Sequence, residues 1–246
     1  MFKYSDTYKS SFITNVRNAV YCKKGFFIIK DFIAKDIANN VINRWLSEGV
    51  EYYFDDFYKN KDVNFLTPNY LIKRPTPNDV SFCINIYNKP IDQELNDITI
   101  EAQKFRNIVE QRPMYFGINK NDDLVLQYRL CRTISSGIIV KKHADFFEEP
   151  RHDPTGSHDF DPRRCQLTLI LSDYGLDYKN GGFYFYDNDN KELLFGKDIK
   201  VKSGDLIIWK YSNTHSVRSV NALTNKGFSR IIFPQFDNIK NKEIIS

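Results

Sequence analysis

The spacing of apolar residues along this chain changes near residue 124. Before that point, apolar positions recur at helical spacing from Ile33 to Gly49 and again from Ile91 to Arg112, which predicts two amphipathic helices. The apolar run from Gly25 to Phe32 predicts a buried strand in front of the first helix. Residues 1–22 are polar and aromatic and show no clear period. We therefore expect a strand followed by helices in the first half of the chain.

Residues 50–80 differ from the segments around them. Aromatic residues alternate with Asp, Lys and Asn between Tyr52 and Tyr58, and prolines at 68, 75 and 77 interrupt any long element. Long connections of this kind either carry a function or merely link elements. The segment either covers a pocket or wraps the surface, and the sequence leaves both interpretations open.

After residue 124, short apolar runs alternate with turn signals such as Asn180-Gly181-Gly182. The eight predicted strands are 124–133, 138–145, 165–171, 182–186, 199–202, 205–211, 215–220 and 229–236. Eight short strands after a helical start indicate a double-sheet jelly roll, with the N-terminal helices packed on one sheet. The predicted fold class is therefore α+β with a mainly β core.

Length and charge narrow the function classes. The 246 residues fit one domain, with a helical lead-in and pocket-covering segments over 1–123, a β core over 124–236 and a tail over 237–246. The formal charge of +4 is spread along the chain, so no basic run marks a nucleic-acid surface. No apolar run approaches the roughly 20 residues of a membrane span.

The N-terminus and the cysteines predict a cytoplasmic protein. The stretch Met1-Phe2-Lys3-Tyr4-Ser5-Asp6 lacks the apolar core of a signal peptide. The four cysteines lie far apart and form no Cys-x-x-Cys pair, which indicates neither a zinc knuckle nor a disulfide scaffold. They are Cys22, Cys83, Cys131 and Cys165.

The most informative motif is His143-Ala144-Asp145, at the end of a β-branched run. On a strand, residues i and i+2 point to the same face, so His143 and Asp145 can reach one point in space. Downstream, His215 follows the apolar run from Asp205 to Trp209. Two histidines and one carboxylate on one face of a metal ion suit a non-haem Fe(II) oxygenase. The alternative for each histidine is a hydrogen-bonded structural residue at a strand end.

The order of these motifs resembles that of the Fe(II)- and 2-oxoglutarate-dependent oxygenases, on the prolyl-hydroxylase and phytanoyl-CoA-hydroxylase side of that superfamily. The resemblance covers residues 125–236 well and the first half in outline. The matching segments are 143–145, 167–171, 181–186, 202–209, 215–217 and 227–230. The resemblance implies a double-stranded β-helix core in which His143, Asp145 and His215 are ligands of Fe(II).

The resemblance also implies a basic residue that binds the distal carboxylate of 2-oxoglutarate. Arg230 suits this role because its planar fork meets a carboxylate through two charge-assisted hydrogen bonds. Arg230 lies fifteen positions after His215, whereas the family pattern places the basic residue nearer, close to Lys226. Lys226 is therefore the competing candidate. Tyr128 and Ser229 are further hydroxyl donors to the cosubstrate on the same resemblance.

The implied activity is hydroxylation of a C–H bond in a small molecule or biosynthetic intermediate, with dioxygen consumed, succinate and CO2 released and ascorbate in support. The carboxylate at 145 favours hydroxylation, because related halogenases lack it. Two rivals stay open: a cupin-like isomerase or hydrolase with zinc or manganese, and a jelly-roll binding module whose His and Asp are structural. Fold says little about substrate, and we expect residues 52–58 and 147–164 to decide it.

Overall fold

The computed structural model describes residues 9–47, 71–74, 82–87, 93–116, 118, 124–134, 140–145, 164–233 and 235–237. The helices are α1 (Ser10–Arg17), which continues into a wider π-helical turn over Asn18–Lys23, α2 (Lys35–Ser47) and α3 (Gln93–Val109). The strands are β1 (Phe26–Ile29), β2 (Leu71–Arg74), β3 (Phe82–Tyr87), β4 (Leu124–Thr133), β5 (Val140–His143), β6 (Cys165–Ile170), β7 (Tyr178–Lys179), β8 (Gly182–Tyr186), β9 (Glu192–Leu194), β10 (Leu206–Lys210), β11 (His215–Arg218), β12 (Asn221–Ala222), β13 (Phe228–Ile232) and β14 (Gln235–Asp237).

The strands form two main antiparallel sheets and a short ribbon. The larger sheet has eight strands in the order β1-β10-β6-β13-β4-β3-β2, and β14 pairs with β4 beside this path. The smaller sheet has the order β5-β11-β8-β9, and β12 pairs with β7 in the ribbon. The chain is thus mostly β-sheet with few helices, which confirms the predicted mainly β core.

One apolar layer lies between the helices and the larger sheet. Val41 of α2 and Phe105 of α3 are buried in the same cluster as Leu167 and Leu169 of β6. At roughly 25 cal/mol per Å² of apolar surface, this burial is the main reason the helices stay on the sheet. The expected packing of N-terminal helices on one sheet is therefore observed.

A second apolar layer lies between the two sheets, on the opposite face of the same strands. Ile207 and Trp209 of β10 belong to it together with Phe183 of β8, whereas Leu206 and Ile208 belong to the layer under the helices. Successive side chains of a strand point to opposite faces. Both faces of β10 are therefore covered, which explains why the strand is apolar from Leu206 to Trp209.

Three expectations need correction. The first half contains two strands besides the predicted one, because β2 and β3 belong to the larger sheet together with β1. The aperiodic N-terminus includes α1. The strand predicted over 199–202 does not form, since Ile199 makes only an isolated bridge with Phe195 within a turn.

Several sequence predictions fall on residues that lie outside the described part of the chain. These are the helix stop at Gly49, the aromatic stretch 52–58 and most of the polar loop 147–164. Among the described residues, the helices are too short or too polar to cross a membrane.

Gly204 occupies a turn that only glycine fits. Its φ is +96°, and a Cβ atom added there would lie 2.4 Å from the carbonyl oxygen of Ile33. The backbone around it is tied on both sides, because Gly204 N–H donates to Ile170 O and Ile33 N–H donates to Gly204 O. The turn thus joins the start of α2 to β6 and β10.

We expect Gly204→Ala to lower the free energy of unfolding by about 1 kcal/mol from the left-handed φ, plus about 1–3 kcal/mol from the clash. Gly175→Ala is the matched control, because Gly175 has a φ of +88° but nothing within 4 Å of an added Cβ. Urea unfolding of both variants tests this. Equal losses would contradict the role assigned to the Ile33 contact.

Asp173 connects α2 to the turn at Gly204 through hydrogen bonds. Its carboxylate accepts hydrogen bonds from Lys35 Nζ and from Ser203 N–H, the latter at 2.6 Å. Burial on its own raises the pKa of Asp173, but these two donors outweigh burial, so its pKa lies below the ordinary value. The ionised form is therefore more stable in the folded than in the unfolded chain.

A lowered carboxyl pKa stabilises the fold above the unfolded pKa of about 3.9, and that stabilisation is lost as the pH falls through the folded pKa. We expect Asp173→Asn to cost about 1–2 kcal/mol at pH 7, and we expect its difference from wild type to shrink below about pH 4. Urea unfolding at pH 7 and pH 3.5 measures both. Asp31→Asn is the control, because this carboxylate is 66% exposed in its pair with Lys202 and should matter little at either pH.

Candidate metal centre

The metal site is built where β5 pairs with β11. His143 and His215 are directly opposed Cα partners in this antiparallel pair. Opposed residues share a face, with their Cβ atoms about 4.5–5.5 Å apart. The two imidazole rings accordingly lie with centroids 4.3 Å apart.

Asp145 completes the cluster from just beyond the end of β5. The strand ends at His143, two residues earlier than predicted, yet the carboxylate still reaches both rings. Asp145 Oδ1 lies 3.5 Å from His143 Nε2, and Asp145 Oδ2 lies 3.7 Å from His215 Nε2. The residues predicted as a triad are therefore brought together, with their ligand atoms within 4.8 Å of one another.

Hydrogen bonds orient both rings toward the carboxylate. His143 Nδ1 lies 2.7 Å from Lys141 O, and His215 Nδ1 lies 3.2 Å from Asn213 O. A carbonyl oxygen only accepts, so each neutral ring carries its proton on Nδ1 and keeps the Nε2 lone pair. Metal-binding histidines are held by this kind of second contact.

The electrostatics of the cluster favour a cation between the rings. A hydrogen bond that the protonated ring donates to Asp145 raises the pKa of His143, whereas burial lowers the pKa of His215. His215, only 8% exposed at its side chain, is therefore neutral at pH 7, as a metal ligand must be. The carboxylate in turn needs a positive charge beside it, which a metal ion would supply.

The donor set fits a divalent first-row metal. Donors bound at about 2.1 Å lie no more than about 4.2 Å apart, and both His–Asp separations fall inside that limit. Two imidazoles and one carboxylate with open positions suit non-haem Fe(II). The residues present are thus compatible with the expected metal.

Arg230 lies on the facing sheet. It is 5% exposed, and its guanidinium lies 5.3 Å from the centroid of the Phe183 ring, which itself lies 5.8 Å from the His215 ring. The charge of Arg230 partly opposes the rise in the pKa of His143, and it adds slightly to the lowering of the pKa of His215 that burial causes. The ring of Phe183 therefore lies near both the buried guanidinium of Arg230 and the imidazole of His215.

The competing residues are placed elsewhere. Lys226 Nζ donates to Asn39 Oδ1 of α2, on the helix-covered side of the larger sheet. The hydroxyl of Ser229 donates to Lys226 O, and alternation along β13 turns Ser229 to the face opposite Arg230. Tyr128 belongs to β4, and its side chain lies outside the described residues.

Two buried polar atoms near the site were missed from the sequence. Thr168 Oγ1 and Trp209 Nε1 have no hydrogen-bond partner among the described residues. Thr168 shares the inner face of β6 with Ile170, the Cα partner of Arg230, and the Trp209 ring lies 5.7 Å from the His215 ring. A hydroxyl within the apolar strand Cys165–Ile170 was the available signal, because buried polar groups need partners.

Comparisons with known proteins bear on the fold. Neither a protein-family model nor a curated protein sequence matches the chain. A prolyl-4-hydroxylase from Pseudomonas putida superposes with a TM-score of 0.53 at 14% identity, covering 91% of this chain and 97% of that one. AviO1 from Streptomyces viridochromogenes Tue57 gives 0.54 at 15% identity, over 91% and 94%. HygX from Streptomyces hygroscopicus, solved with nickel and 2-oxoglutarate bound, gives 0.50 at 11%, over 89% and 85%.

The chain has the fold of the 2-oxoglutarate- and iron-dependent oxygenases. The fold that the family resemblance implied is therefore confirmed. In the oxygenase fold of this chain, the triad lies at one end of the smaller sheet and Arg230 lies in the middle of the larger one.

We expect His215→Ala to weaken binding of Mn(II), a redox-stable probe, by more than about 100-fold, since even outer partners of metal ligands are worth 10–100-fold. Anaerobic calorimetry measures the affinity. His158→Ala, which also removes one imidazole, is the matched control and should bind as wild type does. Equal loss in both variants would show that the triad is not the metal site.

Proposed function

We propose that this chain is an Fe(II)- and 2-oxoglutarate-dependent dioxygenase that hydroxylates a C–H bond of a small molecule or biosynthetic intermediate. The observation that carries the proposal is the pair of opposed histidines with Asp145 between them, facing a buried Arg230. Two structural neighbours support the proposal: SnoK is described as a non-haem α-ketoglutarate-dependent carbocyclase, and HygX was solved with nickel and 2-oxoglutarate bound.

The fold supports a closer description of the core. We infer that the facing strand sets β10-β6-β13-β4 and β5-β11-β8-β9 form a double-stranded β-helix, or jelly roll. We further propose one oxygenase domain over 1–246, with its core over 124–236. A cytoplasmic location stays a prediction.

His143, Asp145 and His215 would hold the iron, and Arg230 would hold the distal carboxylate of 2-oxoglutarate. With both groups bound, such a centre reduces dioxygen, converts 2-oxoglutarate to succinate and CO2, and oxidises a substrate C–H bond. Asp145 contributes negative charge that offsets part of the metal's charge, and the two Nδ1 hydrogen bonds keep the imidazoles aimed at it.

The side chains around Arg230 suit a carboxylate. Its guanidinium lies over the rings of Phe183 and Phe228 at 5.3 and 5.6 Å, and a planar guanidinium can meet a carboxylate through two charge-assisted hydrogen bonds. We propose Thr168 as a second donor, in place of Ser229, because its buried hydroxyl lies on the same face of the larger sheet. Fixed donors in a dry cavity bind an anion more strongly than in water.

The Fe(II)–2-oxoglutarate complex has a weak visible charge-transfer band, which tests the proposal directly under anaerobic conditions. We expect the band in wild type and its absence in His215→Ala. In Arg230→Ala, the 2-oxoglutarate concentration that gives half of the maximal band should rise roughly 10- to 100-fold, because a hydrogen bond to a charged group is worth about 1.5–3 kcal/mol. In Thr168→Val, the same half-maximal concentration of 2-oxoglutarate should rise a few-fold.

Lys226→Ala is the matched control for loss of a cation and should titrate like wild type. If Lys226→Ala shifts the titration and Arg230→Ala does not, Arg230 has been wrongly assigned. If wild type forms no band, the dioxygenase proposal fails, and metal analysis then separates a cupin-like enzyme from a binding module without metal.

A further inference from the structure

Strand β5 carries a metal ligand but has little backbone support. It is four residues long, is exposed at every residue, and pairs with β11 alone among the described strands. The register of that pairing also shifts between His215 and Val217. The Nδ1 bond of His143 ends on Lys141 of the same strand, so it orients the ring on β5 but not β5 on the sheet.

The neighbouring Lys142 contacts Tyr186 on the outer face of the smaller sheet. Lys142 lies on the outer face, because its Nζ is 3.8 Å from the centroid of the Tyr186 ring, and Tyr186 alternates with Phe185, which is buried between the sheets. Tyr186 belongs to β8, and β11 lies between β8 and β5. The small Ser216 of β11 lies on the same outer face yet is only 4% exposed. Lys142 therefore spans one whole strand to reach its partner.

This contact continues as a chain of charges across the smaller sheet. The Tyr186 hydroxyl donates to Glu192 Oε2 of β9, and Arg218 of β11 binds both Glu192 oxygens, at 3.0 and 2.5 Å. The Arg218 guanidinium lies 3.7 Å from the centroid of the Tyr184 ring. We call Lys142, Tyr186, Glu192 and Arg218 the outer ladder, and it joins all four strands.

We propose that the outer ladder positions His143 for metal binding, with Lys142 as its connection to β5. The inference rests on the proposed metal role of His143. A cation over an exposed aromatic ring is worth roughly 0.5–1 kcal/mol, and a connected network gives more than an isolated surface pair. Because His143 and Lys142 are adjacent and point to opposite faces, restraint of one limits the movement of the other.

The sign of the expected effect separates positioning from simple electrostatics. By Coulomb's law, removing a positive charge near a cation site should strengthen binding of the cation. If Lys142 positions His143, its removal should instead weaken metal binding. We expect Lys142→Met, which keeps most of the aliphatic stem, to raise the Kd for Mn(II) about 2- to 5-fold, the factor that corresponds to roughly 0.5–1 kcal/mol.

Lys141→Met is the matched control, with the same charge change on the same strand, no side-chain contact in the outer ladder, and the main-chain carbonyl that accepts from His143 Nδ1 retained. It should bind Mn(II) as wild type does or more tightly. Lys142→Arg should restore the wild-type Kd, because a guanidinium also binds an aromatic face. Tyr186→Leu should reproduce Lys142→Met, and the double variant should be no weaker than either single variant.

The measurements are Mn(II) calorimetry and the urea midpoint of each variant, neither of which needs turnover. A raised Kd with an unchanged urea midpoint in Lys142→Met supports positioning. A Kd equal to or below that of wild type in Lys142→Met overturns the inference while leaving the metal site intact. A wild-type protein that binds no Mn(II) would instead remove the proposed function on which the inference rests.

Discussion

The pleat of the strands is the constraint on which this structure depends. Each strand sends successive side chains to opposite faces, and both faces of the larger sheet are covered, by helices on one side and by the smaller sheet on the other. A shift by one residue would therefore exchange the two sets. The same rule places Arg230 in the interior and Ser229 on the helix side, and it turns His143 inward and Lys142 outward. Site chemistry and core packing thus depend on a single register.

A consequence of that register is that charge is placed in an apolar space. Phe183 contacts both Arg230 and His215, so a guanidinium and an imidazole lie against one ring that is fully buried. Burying charge is costly unless an opposite charge compensates it. At the triad, the Asp145 carboxylate places a negative charge beside the two imidazoles. A site of this composition is better suited to bind charged ligands than to stabilise the fold.

Much of this could be predicted from the sequence because it depends on local spacing. The helix after β1, the strand over 124–133 and the strand over 182–186 follow from apolar periodicity and turn residues, and they form as predicted. The helix α1 was missed because it buries only Ile13 and Val16, too few positions to reveal a period. The region 199–202 is apolar at alternate positions, but within the described part of the chain it makes only the isolated bridge between Ile199 and Phe195. Apolar spacing predicts which side chains share a face of an element, but it does not show whether another strand will pair with that element.

The sequence by itself placed His143 and Asp145 two residues apart at the end of an apolar run, a spacing that predicts one shared face on a strand. In the structure Asp145 lies just beyond the end of β5, and its carboxylate still reaches both rings. The sequence also identified His215 and Arg230 as candidates. Only the tertiary structure decided that His215 stands directly opposite His143, because strand pairing joins segments far apart in the chain. The tertiary structure also turned Lys226 toward α2 and Arg230 toward Phe183. These choices follow from how two sheets and three helices bury their apolar faces together, and that is a property of the whole packed chain, which no local pattern contains.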